Sequence, residues 1–130
     1  MIGLVLVAHA GLAKELLAAA EMIVGRIEKA EAIGITSKDS VEQIRESVAC
    51  AIEKVSDSGV IIMADMFGGT PSNMSISFLK DNEVEVITGV NLPMVIKFAS
   101  ERDKLGVAQL ASSLKKCGLE SISVAGEYLK

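Results

Sequence analysis

Val60-Ile61-Ile62-Met63-Ala64-Asp65-Met66-Phe67-Gly68-Gly69-Thr70-Pro71-Ser72-Asn73 passes from a continuous apolar run, through a double glycine, to a threonine and a proline. The run reads as a strand buried on both faces, and the glycines as a tight turn. Thr70 suits the N-cap of a following helix, and Pro71 suits its first position, where no N–H is needed. Such a helix start points unpaired N–H groups at whatever lies before the loop, which favours an anion and phosphate above all. An ordinary loop can use the same Gly-Gly-Thr-Pro turn. Two residues sharpen the reading: Asp65 at the strand end, and the chain's only histidine, His9, at the end of another apolar run.

Working outward, residues 2–8 form that other run, a second candidate for a strand covered on both faces. Leu12, Leu16, Ala19, Ala20 and Ile23 recur at helical spacing and close at Gly25. A short strand is predicted over 30–35. Ser40 with Gln43 fits a capping box that opens a helix carrying Val41, Ile44, Val48, Ile52 and Val55 on one face. After the central loop a helix is predicted to stop near Asp81-Asn82, and residues 83–87 alternate as an edge strand does. Helices are predicted from the 88–93 loop through Ala99 and from Val107 to about Lys116, ending at Cys117-Gly118. Residues 121–125 alternate polar and apolar, as a strand with one open face would.

Repeated strand-helix alternation indicates an α/β fold, doubly wound, with a mainly parallel sheet and helices on both faces. The last segment supplies a C-terminal edge strand. Strand order is expected to reverse between the first and third strands, where such folds bind ligands beyond the strands' carboxyl ends. His9 and Asp65 end those two strands, so the fold alone brings them together. With no linker, repeat or low-complexity tract, residues 1–130 are expected to form a single domain.

The 130 residues are half apolar, enough for a real core, and the net charge is -4. An acidic chain argues against general binding to nucleic acid or to an anionic membrane. Cys50 and Cys117 form no CxxC pair, so neither a metal nor a redox motif is indicated, and both suit a reducing compartment. No basic residue precedes Lys14 and the first apolar run is too short to span a bilayer, so a cytosolic protein is expected.

The chemistry narrows by elimination. GxxxxGK[ST], GxGxxG after the first strand and GxSxG are all absent. One histidine without a nearby cysteine supplies a transition metal poorly. No cofactor is called for. A histidine nucleophile remains: one nitrogen of a neutral imidazole attacks a phosphoryl group while the other donates to Asp65. The carboxylate fixes the tautomer and stabilises the charge that appears on the ring. The N–H groups of Gly68 and Gly69, with Thr70, are placed to bind the phosphoryl oxygens. Met66 and Phe67 sit where a partner can touch them, or else fold inward to support the loop.

The residues Val7-Ala8-His9, Ala19-Ala20-Glu21-Met22-Ile23-Val24-Gly25, Asp65 through Asn73, and Gly89-Val90-Asn91-Leu92-Pro93-Met94 together resemble the enzyme IIA component of mannose-type phosphotransferase systems. The resemblance runs in order along nearly the whole chain. It implies a phosphotransferase that carries phosphate on His9, taken from the phosphohistidine of HPr and passed to a IIB component feeding a membrane sugar permease. It further implies phosphate on Nε2 with Asp65 holding Nδ1. It also implies a homodimer in which an antiparallel C-terminal strand can be exchanged, and a cytoplasmic protein brought to the inner membrane only through partner subunits. One departure stands out: many family members have glycine directly after the histidine, where this chain has Ala10 followed by Gly11. Two alternatives stay open, a regulatory phosphoprotein of the same fold without a permease, and the phosphotransfer subunit of dihydroxyacetone kinases. The second shares the amino-terminal histidine but not the Gly68-Gly69-Thr70-Pro71 block. A third class, a protein that merely holds a small anion, predicts that His9→Gln keeps its ligand.

Overall fold

The computed structural model describes residues 1–66 and 68–129. Along them run β1 (Gly3–His9), α1 (Leu12–Val24), β2 (Ala30–Ile35), α2 (Val41–Val55), β3 (Val60–Ala64), α3 (Thr70–Ile76), β4 (Val84–Thr88), α4 (Leu92–Glu101), α5 (Val107–Glu120) and the single-turn α6 (Ala125–Tyr128). The strands pair in the order β2-β1-β3-β4, every pair parallel. Strand order reverses between β1 and β3, as the alternation of elements predicts.

Alternate side chains of the two central strands go to opposite faces. Leu4, Leu6, Ile61 and Met63 meet Phe98, Leu110 and Leu114 on the face covered by α1, α4 and α5. Val5, Val7, Val60 and Ile62 meet Ile44, Val48, Val55 and Met74 from α2 and α3. Both faces are covered, so both strands read as unbroken apolar runs. Burying each such side chain contributes about 1.5–3 kcal/mol against leaving it exposed. The Ser40–Gln43 capping box forms as predicted, with reciprocal bonds of 2.8 and 3.1 Å. Val41, the first residue of α2, stays exposed; Ile44, Val48, Ala51 and Val55 are buried against the sheet, and Ile52 packs half-buried beside them.

Three expectations need correction. The helix after the central loop ends at Ile76, and tighter turns carry the chain through Leu79. The last long helix runs through Gly118 instead of stopping there. A Cβ on Gly118 would lie 2.7 Å from Met94 Cε, so this glycine serves close approach of α4 and α5 rather than a helix end. Finally, residues 121–125 form no antiparallel edge strand among the described residues; a turn and an extended stretch lead into α6. Alternation gives a segment two unlike faces, but a strand also needs a neighbour's amides and carbonyls, and this segment pairs with none. Its Ile122 and Val124, with Tyr128 and Leu129 beyond it, are left exposed.

At the amino ends of the strands a single side chain ties several elements together. Arg102, 5 % exposed and just beyond α4, donates from Nε and Nη2 to the Ile2 carbonyl at 3.0 and 2.6 Å. Its guanidinium lies 4.8 Å from the centre of the Phe98 ring. Burial pushes its pKa down, opposed by the charges of Asp103 and Glu28.

Ala10, between β1 and α1, has φ 52°, in the left-handed region that favours glycine. An L side chain there costs on the order of 1 kcal/mol. Ala10→Gly is therefore expected to stabilise the fold by about 0.5 kcal/mol, the strain relieved less the cost of the freer unfolded chain. Urea unfolding measures this, and an unchanged or lowered midpoint would show that the alanine is unstrained.

Candidate functional site

His9 and Asp65 emerge beside each other because β1 and β3 are adjacent, parallel and in register, with Val7 opposite Ala64. The Ala64 carbonyl then accepts from the N–H groups of both Gly89 and Val90, at 3.0 and 3.1 Å. This stapling of the end of β3 gives the 88–93 loop a supporting part in the site.

The Asp65 carboxylate is held at both oxygens. Oδ2 accepts from the His9 backbone N–H at 3.0 Å and lies 2.8 Å from His9 Nδ1, while Oδ1 accepts from the Met66 N–H at 3.0 Å. Burial alone would raise its pKa. The bond from the His9 backbone, the bond and charge of the imidazole, and the Met66 N–H outweigh that and hold it below 3.8. An ionised carboxylate only accepts, so Nδ1 is the nitrogen that donates to it, and in the neutral imidazole this leaves the lone pair on Nε2. The His9 side chain is half exposed, against 12 % for Asp65.

Of the double glycine, Gly69 comes close to the ring. Gly68 has φ 88°, which reverses the chain at little steric cost. Gly69 has φ -90°, which any residue adopts, yet a Cβ on it would sit 3.2 Å from His9 Cε1. The imidazole itself therefore accounts for the second glycine.

Thr70 is exposed and is the first residue of α3, with Gly69 at the N-cap and no side-chain capping bond, so the capping role predicted for Thr70 is not filled by its hydroxyl. The Gly68 N–H donates to Ser72 Oγ at 3.0 Å. Sequence reasoning missed Ser72, whose only signal was a small hydroxyl one turn into the helix. Met66 is 54 % exposed and open to a partner. Phe67, expected to share that contact, lies outside the described residues. Among the described residues no group of three or more His, Cys, Asp or Glu side chains gathers as a metal site would require.

A family model described as the fructose IIA component of the phosphotransferase system matches residues 3–115. The chain belongs to the mannose-family EIIA components. As an EIIA component of this family it is a phosphocarrier in sugar transport. Among its curated relatives, the sorbose-specific EIIA component of Lacticaseibacillus casei is 34% identical over 87% of this chain and 83% of that protein. The fructose-specific EIIA component of Bacillus subtilis is 27% identical over all of this chain and 90% of the relative. A solved EIIA from Streptococcus agalactiae superposes with a TM-score of 0.89 at 24% identity, covering 98% of this chain and 99% of that one, a likeness of fold. No helix among the described residues of this EIIA component is long and apolar enough to cross a membrane.

Proposed function

We propose that the chain is one EIIA domain which accepts a phosphoryl group from phospho-HPr on Nε2 of His9 and donates it to a IIB component of a sugar permease. The observation that carries this is the 2.8 Å contact between Nδ1 and Asp65, which leaves Nε2 as the nucleophilic nitrogen. Its lone pair attacks phosphorus in line, and the P–N bond to the donor's phosphohistidine breaks with its electron pair returning to the donor ring. Asp65 stays ionised and offsets the positive charge gained by the imidazole. The amides of Gly69 and Thr70 and the Thr70 hydroxyl bind the phosphoryl oxygens. Gly68, expected among these donors, spends its N–H on Ser72. Donation to IIB runs the same step in reverse, and Met66, with Phe67, contacts the partner. The relatives' names carry different sugars, and the role proposed here is the same for each.

A homodimer is part of this reading. Its support is the open outer edge of β4, where residues 85–89 and α5 line a groove of about 560 Å³, together with the exposed apolar side chains at 122, 124, 128 and 129. Incubation with phosphoenolpyruvate, enzyme I and HPr is expected to leave an acid-labile, base-stable phosphate on His9. His9→Gln is expected to take up none, and a label elsewhere would overturn the assignment.

Gly69→Ala tests the ring contact. Its backbone is allowed for alanine, so stability should change little. The imidazole, however, must move by a few tenths of an ångström, and transfer is expected to slow by roughly tenfold. Phosphorylation rate and melting temperature measured together check this. An unchanged rate would place the ring elsewhere during transfer.

A further inference from the structure

The EIIA reading leaves unexplained a fully buried hydroxyl in contact with the glycine loop. Ser72 is 0% exposed, yet its side chain accepts a hydrogen bond from the Gly68 N–H, which lies outside its own helix. We infer that Ser72 is a positioning residue for phosphoryl transfer: its hydroxyl fixes the reversal at Gly68 and thereby sets the Gly69 backbone beside Cε1 of the His9 ring.

Among the described residues the loop has few other fixings. Gly69 caps α3 without any side-chain acceptor, and the Asn73 N–H bonds back to the Gly69 carbonyl at 2.9 Å, so the helix holds Gly69 from its carbonyl side. Ser72 supplies the hold on the other side, one residue earlier. Between these two anchors lies the peptide that meets His9 Cε1, with a would-be Cβ at 3.2 Å. The helix in turn is pinned to its own first turn by the Ser75 hydroxyl, which donates to the Pro71 carbonyl at 2.6 Å, and Ser75 is also fully buried. Two buried serines thus make the start of α3 a stiff platform, and only Ser72 reaches into the loop. A donor amide displaced by about 1 Å can cost roughly 100-fold in rate, whereas binding of a protein partner across a broad surface is hardly touched.

This inference rests on the proposed transfer to Nε2 of His9, in which the donor P–N bond breaks as the new P–N bond forms. The test is single-turnover transfer from phospho-HPr to the full chain, its Ser72→Ala variant and its Ser72→Thr variant, at varied HPr concentration and with melting temperature recorded for each. Ser72→Ala is expected to lower the maximal rate by about 10- to 100-fold. The half-saturating HPr concentration should stay within about twofold and the protein should stay folded. Ser72→Thr, which keeps the hydroxyl, should recover most of the rate even if its extra methyl lowers the melting temperature. Wild-type rates in folded Ser72→Ala overturn the inference, as does a loss seen only in half-saturation or one equal in both variants. If the unsubstituted chain takes no phosphate on His9, the transfer reading itself falls, and this inference with it.

Discussion

In Asp65→Asn, phosphoryl transfer to His9 is expected to fall by roughly 1,000-fold or more, the scale seen when an orienting carboxylate beside a catalytic imidazole becomes an amide. The reason lies in the accounting of donors. Asp65 accepts from the His9 N–H and lies against Nδ1 with one oxygen, and accepts from the Met66 N–H with the other. An asparagine that keeps its oxygen toward His9 turns its NH₂ against the Met66 N–H. Flipped, it sets NH₂ against the His9 N–H and forces the ring proton onto Nε2, the nitrogen proposed to attack. Either way one donor faces another, at a cost of about 1–3 kcal/mol in stability.

The same group sets an acid dependence with a definite sign. The folded-state pKa of Asp65 lies below 3.8, so its stabilisation is fully present above that value and is lost as pH falls through the lower folded value. Denaturant unfolding at a series of acidic pH values is expected to show a smaller loss of stability on acidification in Asp65→Asn than in the wild type. Identical slopes would show that the carboxylate is not held as described. Stopped-flow or quenched transfer from phospho-HPr measures the rate.

Arg102→Ala is expected to do the opposite: a large loss of stability with little change in the chemistry. The substitution strands the Ile2 carbonyl, which now accepts from both Nε and Nη2, and removes the cation over Phe98. Charge-assisted bonds and an unsatisfied buried acceptor together suggest about 2–4 kcal/mol. For a chain of this size that is a drop in melting temperature of roughly 8–15 °C. Arg102→Lys keeps the charge but not the planar fork, and should recover only part of the loss. Ile2 adjoins one end of β1 and His9 forms the other, so transfer per folded molecule should remain within about twofold. Calorimetry and a phosphorylation assay well below the transition test the two halves separately.

What could be read from the residues alone follows the physics of each feature. The strand at 60–64 lies where its composition places it, because a run of β-branched and aliphatic residues bounded by turn formers leaves little choice, and the shorter strand predicted over 30–35 forms with the same bounds. The approach of His9 to Asp65 also follows, since a parallel sheet with reversed order brings the ends of its first and third strands together. Arg102 was illegible: its partner is a backbone carbonyl 100 residues away, and no local pattern marks such a bond. Gly118 looked like a helix terminator because glycine usually is one, but packing against Met94 overrode propensity. The segment at 121–125 failed differently. Its alternation is genuine, but pairing depends on a neighbour that this chain does not place beside it.

One oxygen of Asp65 grips both the main chain and the ring of the same histidine, so the imidazole cannot swivel to offer a different edge. On the proposed reading, the molecule that delivers phosphate and the molecule that collects it must use one doorway and take turns at it. The relay then runs through successive two-body encounters and never through a three-way assembly.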